Sequence, residues 1–242
     1  MTKAVTTMTI FDVDHYSDAD RDIIIDSYPA HERDARSKGI PQLGSGRIFP
    51  IEEDAIKEPA PILQDIWKRI AGLDFGWDHP TAAVWIAWDV DADVYHLYDC
   101  YKLKEATPII HAAAVKPRGD WIPMAWPHDG HQHDKGSGKA LSEQYKAQGI
   151  KMLENHATWE QGGNGVEAGI QEMLDLMQTG RLKVAEHLEE WFAEFRLYHR
   201  KDGKIVKEYD DLMAATRYAL MMKRFAKTKP RPNTMKFTSD WG

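Results

Sequence analysis

Apolar and polar positions follow two rhythms in the second half of the first hundred residues and beyond, and each predicts its own elements. Strand spacing comes first: RIAGLDFG (69–76) reads as a short buried strand ending in Gly, followed by a turn at Trp77–Pro80. TAAVWIAWDV (81–90) is a second strand, rich in β-branched and aromatic residues. VYHLYDCYKL (94–103) alternates and pairs with it, and the Asp89–Asp93 connector is short enough for a hairpin. Helical spacing then takes over at TPIIHAAAVKPRG (107–119), with Thr107 as N-cap and Pro108 in the first position. IPMAWPHD (122–129) is a short strand running into a polar loop, and SGKALSEQYKAQG (137–149) a helix with Ser137 as N-cap and Gly149 past its end. Val166, Ile170, Met173, Leu174 and Met177 mark a helix over about 165–179, stopped by Gly180. LKVAE (182–186) is a brief strand and EHLEEWFAEFRLY (186–198) an amphipathic helix. Asp202-Gly203 sits between two extended arms, a strong hairpin signal. A last helix runs from about Asp210 to Ala226. The pattern predicts an α/β domain.

Residues 1–69 have a different texture: short apolar bursts (Val5–Phe11, Ile23–Ile25), the charged stretch HERDARSKG at 31–39, and the Gly/Pro-rich GIPQLGSGRIFP at 39–50. Such density of Gly and Pro reads as turns and an extended connector, not a packed core. Asp18–Ser27 has the spacing of one short helix. The expected division is 1–68 as linker, 69–228 as the folded domain, and 229–242 as a loose basic tail.

Composition narrows the class. The 242 residues include a single cysteine, Cys100, which precludes an intrachain disulfide and fits a reducing compartment. No apolar run reaches the ~20 residues that span a bilayer, and MTKAVTTMTIFD lacks the grammar of a signal peptide. A soluble cytosolic protein with no membrane partner is expected. The net charge of −7 argues at first against nucleic acid. Its distribution weakens that argument. Residues 1–69 carry 13 Asp+Glu against 9 Lys+Arg, whereas Lys223, Arg224, Lys227, Lys229, Arg231 and Lys236 meet no acid until Asp240.

Three acidic positions carry the candidate chemistry. Asp74 ends an otherwise apolar strand, where an acid needs a role or a partner; a turn-capping Asp is the plain alternative. Asp129 follows a short strand in AWPHDGHQHDKGSG. There a zinc site from His128, His131, His133 and Asp134 competes with a reading in which only Asp129 acts. Asp210 and Asp211 open the last helix, where the macrodipole favours acids. Asp211 lies one turn before Ala215 on a largely inward face with no visible basic partner. An α/β sheet presents its ligands at the carboxyl ends of strands, where Asp74 and Asp129 fall. Acids gathered there repel unless a hard multivalent cation neutralises them, and oxygen-only ligation favours Mg²⁺ or Mn²⁺. Two such ions ~3.5–4 Å apart activate a water and stabilise the leaving oxygen of a phosphodiester.

GLDFGWDHPTAAV, PHDG…DKGSG and YDDLMAATRYA, in that order, resemble the nuclease domain of the large terminase subunit of tailed bacteriophages. HERDARSKGIPQLGSGRIFP resembles the stretch joining that protein's ATPase to its nuclease, so the likeness covers about residues 8–226. The resemblance implies a ribonuclease H-like fold, a central mixed sheet flanked by helices. It implies an endonuclease that cuts concatemeric viral double-stranded DNA during packaging, in the host cytoplasm, alongside the terminase small subunit and the portal protein. Asp74, Asp129 and Asp211 would hold two Mg²⁺ or Mn²⁺ ions, with Asp210 a fourth acid. Residues 1–68 would be linker and remnant of an ATPase domain whose phosphate loop is missing here: Gly138-Lys139-Ala140 lacks both the first Gly and the Ser/Thr.

Rival readings share parts of this pattern. Gly72-Leu73-Asp74-Phe75-Gly76 also fits the opening strand of sugar kinases and actin-like ATPases, whose glycines approach phosphate, but no second phosphate loop follows. A Holliday-junction resolvase shares the three-acid plan, and a non-catalytic domain that docks DNA or capsid protein is a third possibility. Among lesser features, Lys135 and Lys139 are candidate phosphate contacts, the Lys201–Lys207 hairpin a candidate border of the site, and Gly162–Gly165 a candidate phosphate loop. Trp77 and Trp126 are expected to shape the site, and His79 and His128 to support the acids.

Overall fold

The computed structural model describes residues 9–28, 33–38, 46–132 and 138–231. In chain order the elements are α1 (Asp18–Asp26), α2 (Arg33–Lys38), α3 (Glu53–Ile56), β1 (Lys57–Glu58), β2 (Lys68–Asp74), β3 (Thr81–Asp89), β4 (Val94–Leu103) and α4 (Pro108–Val115). There follow β5 (Met124–Ala125), α5 (Leu141–Ala147), α6 (Val166–Gln178), β6 (Leu182–Ala185), α7 (Glu189–Leu197), β7 (Arg200–Lys201), β8 (Lys204–Ile205) and α8 (Asp211–Met221). Ser137, expected as the N-cap of α5, lies outside the described residues, and Ala140 holds the N-cap position instead. Asp202 and Gly203 both take positive φ, 51° and 75°, as a two-residue hairpin turn requires.

Six strands form one mixed sheet in the order β1-β6-β4-β3-β2-β5. The pairs β2/β3 and β3/β4 are antiparallel, and β1/β6, β4/β6 and β2/β5 are parallel. Alternation on β3 feeds two cores. Ala82, Val84 and Ile86 face α6, α7 and α8, whereas Ala83 and Trp85 join Phe75, Trp126 and Tyr145 on the side of α4 and α5.

On β2 the α8 face is carried by Ile70, Gly72 and Asp74, two residues apart. Gly72 is a close-approach glycine: a Cβ there would stand 2.0 Å from the Ala215 carbonyl oxygen and 2.9 Å from the Ala219 amide nitrogen. The backbone of α8 therefore lies directly on β2, and the acid two residues further along emerges beside the start of that helix.

Part of the stretch read from sequence as a connector is built into the core. Phe49 and Ile56 are fully buried against Phe195 and its neighbours, Ile48 is 7% exposed, and β1 adds an edge strand parallel to β6. Phe49 stacks on Phe195 at 5.8 Å. The Gly/Pro signal concealed this, because the anchoring residues sit singly between turn formers and show no period.

Candidate active site

Six acids line one cavity: Asp78 and Glu208 from loops, and four more from three elements. Asp74 ends β2; Asp129 lies in the 3₁₀ turn His128–His131 just after β5; Asp210 occupies the N-cap position of α8 and Asp211 its first turn. All four line a cavity of about 650 Å³, together with His79, Lys102, Lys104, Lys207, Arg217 and Tyr218. The turn carrying Asp129 is fixed by packing: a Cβ on Gly130 would meet Trp126 at 2.5 Å and Phe75 at 2.7 Å.

Electrostatics mark this grouping as unfinished. Burial pushes the Asp74 carboxyl well above its ordinary range, and Asp129, Asp211 and Asp210 push it further, against Arg217. Burial also raises Asp129, and burial and then Asp211 raise Asp210. Oδ1 of Asp129 is buried with no hydrogen-bond partner. A buried, unpartnered carboxylate oxygen facing other acids has the donor chemistry of a hard-cation site. One ligand atom each from Asp74, His79 and Asp211 falls within 4.8 Å of the others. The residues present thus fit a divalent ion held mainly by oxygen.

Asp211, expected to lack a basic partner, has two. His79 Nδ1 lies 3.1 Å from Oδ1 and Lys102 Nζ 3.0 Å from Oδ2. Lys102 also pairs with Glu194, whose other oxygen accepts the Leu212 amide at 2.6 Å and so caps α8 from outside its own chain segment. Glu194 is 3% exposed, and burial raises its carboxyl against the pull of Lys102.

Sequence reasoning passed over Lys102, Lys104, Arg217, Asp78 and Glu208 on the cavity wall, and Glu194 behind Lys102. For Glu194 a signal existed: it falls in the buried stripe Trp191, Glu194, Phe195, Tyr198. For Lys102 the signal was scrambled. A bulge leaves Tyr98 unpaired between the Ile86–Leu97 and Trp85–Asp99 pairs, which flips side-chain parity along β4. Register then puts Asp74, Ala82 and Lys102 in one row across β2, β3 and β4 on the α8 face.

Other expectations fare differently. Trp77 is 55% exposed and off the cavity wall, and Trp126 acts from behind, through Gly130. Ile205 and Lys207 place the hairpin on the cavity border, and Val166, the first residue of α6 after Gly162–Gly165, lies on its wall. Lys139 is not on that wall; His133, Asp134 and Lys135 lie outside the described residues. The glycines of GLDFG are filled by the protein's own backbone. A Cβ on Gly76 would lie 2.3 Å from the His79 carbonyl oxygen, and Gly72 is closed by α8. Both glycines therefore serve close packing of the protein's own backbone.

A sheet of this order, with acids delivered by its first long strand, a later parallel strand and a final helix, defines a ribonuclease H-like nuclease domain of the terminase class. The family model for the terminase RNase H-like domain matches residues 71–223, and the chain belongs to that family. It is 52% identical over 224 residues to the terminase large subunit of Salmonella phage P22, covering 92% of this chain and 45% of that protein. The chain thus spans about half the length of the curated relatives it matches. The structure of the P22 large terminase nuclease domain superposes with a TM-score of 0.72 at 51% identity, over 76% of this chain and 96% of that one. A more distant likeness, at 16% identity and TM-score 0.50 over 69% of this chain and 95% of that one, is to the large terminase nuclease domain of bacteriophage SPP1 with bound Mn. Among the described residues no helix is long and apolar enough to cross a membrane.

Proposed function

We propose that this chain is the DNA-cutting module of a phage large terminase, a Mg²⁺- or Mn²⁺-dependent endonuclease that hydrolyses phosphodiester bonds of duplex viral DNA at genome packaging. The observation that carries this reading is the convergence of Asp74, Asp129, Asp210 and Asp211 on one cavity with raised carboxyls and a partnerless Asp129 oxygen.

Asp74, Asp129 and Asp211 would hold two ions, with Asp210 beside them and His79 able to join. Ions bound there supply water activation and neutralisation of the departing 3′ oxygen. The chain does the rest. Lys102 and Glu194 hold the Asp211 carboxylate in place before metal arrives. Arg217, over the Tyr218 ring at 4.5 Å and with its Nε buried and unbonded, presents a fixed positive charge to the cavity. Lys104 and Lys207 line its wall, where a phosphate backbone would run.

By the same reading residues 1–68 comprise a linker and the end of a motor domain, 69–228 the nuclease and 229–242 a basic tail. The protein would work in the host cytoplasm with the terminase small subunit and portal protein. The SPP1 nuclease domain with bound Mn supports the choice of metal. Incubation of supercoiled plasmid with the folded chain and Mn²⁺ tests the activity: nicked and linear products are expected, and DNA that stays intact refutes it.

A further inference from the structure

Three imidazoles crowd together beside the turn that carries Asp129. His131 Nε2 lies 3.0 Å from His156 Nδ1. The His128 ring centre is 4.8 Å from that of His156 and 5.5 Å from that of His131, and the three rings stand at 67–88° to one another. His128 and His131 are exposed and His156 half-buried, so the group is open to solvent. None of the three lines the acid cavity.

The two backbone segments that present these rings are locked together. Leu153 donates its amide to the Met124 carbonyl at 2.9 Å and Ala157 to that of Trp126 at 2.7 Å, while the Trp126 indole donates to the Leu153 carbonyl at 2.7 Å. The Trp126 ring also packs edge-on against His131 and His156, at 5.0 and 6.1 Å. The backbone segments that carry the histidines are therefore held side by side.

We propose that His128, His131 and His156 form a binding site for one borderline-soft divalent cation of the Zn²⁺ type, separate from the acid cavity. Two imidazole nitrogens on a tetrahedral zinc at ~2.0–2.1 Å stand about 3.3 Å apart. The His131–His156 pair, already facing nitrogen to nitrogen, needs to open by only a few tenths of an ångström to exchange its hydrogen bond for an ion. In that hydrogen bond one facing nitrogen carries the proton, and it shifts to the other nitrogen of the same ring when the ion binds, so each imidazole keeps one proton and none is released. Exposed His128 completes the set by side-chain rotation, and water takes the fourth position. Nitrogen ligands select zinc-like ions over Mg²⁺, whereas the acid cavity prefers hard cations, so the two sites sort metals differently. An ion here ties the Asp129 turn to the 153–157 segment.

Equilibrium dialysis of the 242-residue chain against micromolar Zn²⁺, with Mg²⁺ in large excess to occupy the acid cavity, tests the site. One zinc retained per chain is expected in the wild type and in Asp74→Asn. His156→Ala should lose it, and His128→Gln, an exposed change that leaves the fold intact, should weaken it roughly ten-fold or more. Circular dichroism of the zinc-free proteins checks folding. Zinc held equally by the histidine variants, lost with Asp74→Asn, or not retained by the wild type overturns the proposal.

Discussion

Two groups of buried acid sit within this fold and are treated in opposite ways. Glu53, 2% exposed, is enclosed by cations: Arg196 pairs with both its oxygens and Lys57 lies 2.8 Å from one of them. Burial pushes its carboxyl up, but Arg196 and Lys57 outweigh burial and leave it below the ordinary range. Asp74 is enclosed by acids and held well above its range. An acid buried among cations completes the structure. An acid buried among acids leaves a charge for something else to supply, and that contrast separates a scaffold from a site.

The largest expected effect comes from removing the central acid. Asp74→Asn should lower Mn²⁺-dependent plasmid cleavage by roughly 10³-fold, since loss of a metal ligand withdraws several kcal/mol of transition-state stabilisation. The same substitution should raise the stability of the metal-free protein in urea melts, because it removes the carboxylate charge that burial and the neighbouring acids oppose. A variant that is both inactive and less stable than wild type would mean that Asp74 is a structural cap and the contrast is false.

Next comes the scaffold pair. Arg196→Met leaves Glu53 with Lys57 and the neighbouring Arg47 but without its bidentate partner, and under-compensating a buried carboxylate should cost about 3 kcal/mol in the same melts. Cleavage by the folded fraction should be unchanged. Equal loss of activity and stability from both substitutions would erase the distinction drawn between the regions.

How much of this was legible beforehand depends on what kind of signal each part left. The long strands, α6, α7, α8 and the DG hairpin announce themselves through period and turn chemistry, which are local. Asp74 stood out because it ends an apolar strand, Asp129 because it follows a short strand, and Asp211 because it opens the last helix on an inward face. Lys102 was hidden by a bulge that no residue type betrays, whereas Glu194 left a signal as an acid in a stripe whose other members are ordinary core. Phe49 and Ile56 were hidden by isolation: a single anchor between turn formers carries no rhythm, and its partner Phe195 is far along the chain. His156, 25 residues from His131, joins the other imidazoles through parallel bridging of Met124 and Met152, a wholly tertiary event.

A smaller effect sharpens the same comparison through pH. The Asp74 carboxyl is raised on folding, so its contribution is fully present below about pH 3.9 and is lost as pH climbs through the folded value. Glu53 is lowered on folding, so its contribution is present above the ordinary glutamate range and is lost as pH falls. The stability gain of metal-free Asp74→Asn over wild type should vanish in strong acid and grow toward neutrality. The cost of Glu53→Gln should also be least in acid and grow toward neutrality, with opposite sign. Saturating Mn²⁺ should abolish or reverse the first curve and leave the second alone. Two curves that move together under metal would show that both regions answer to one charge.

The smallest effect tests whether the cations on the cavity border belong with the site or with the surface. Lys207 lines the cavity yet is exposed, and it acts on the Asp210 carboxyl by lowering it. A lysine there that neutralises one phosphate contributes mainly through counterion release. Lys207→Ala should then weaken DNA binding only a few-fold at moderate salt, reduce the slope of log affinity against log salt by about 1, and leave thermal stability within ~0.5 kcal/mol. Fluorescence anisotropy of a labelled duplex with Ca²⁺ in place of Mn²⁺ across a salt series reads that slope without cutting. An unchanged slope would place Lys207 outside the DNA path and assign it to the acids alone, as a local counter-charge for Asp210.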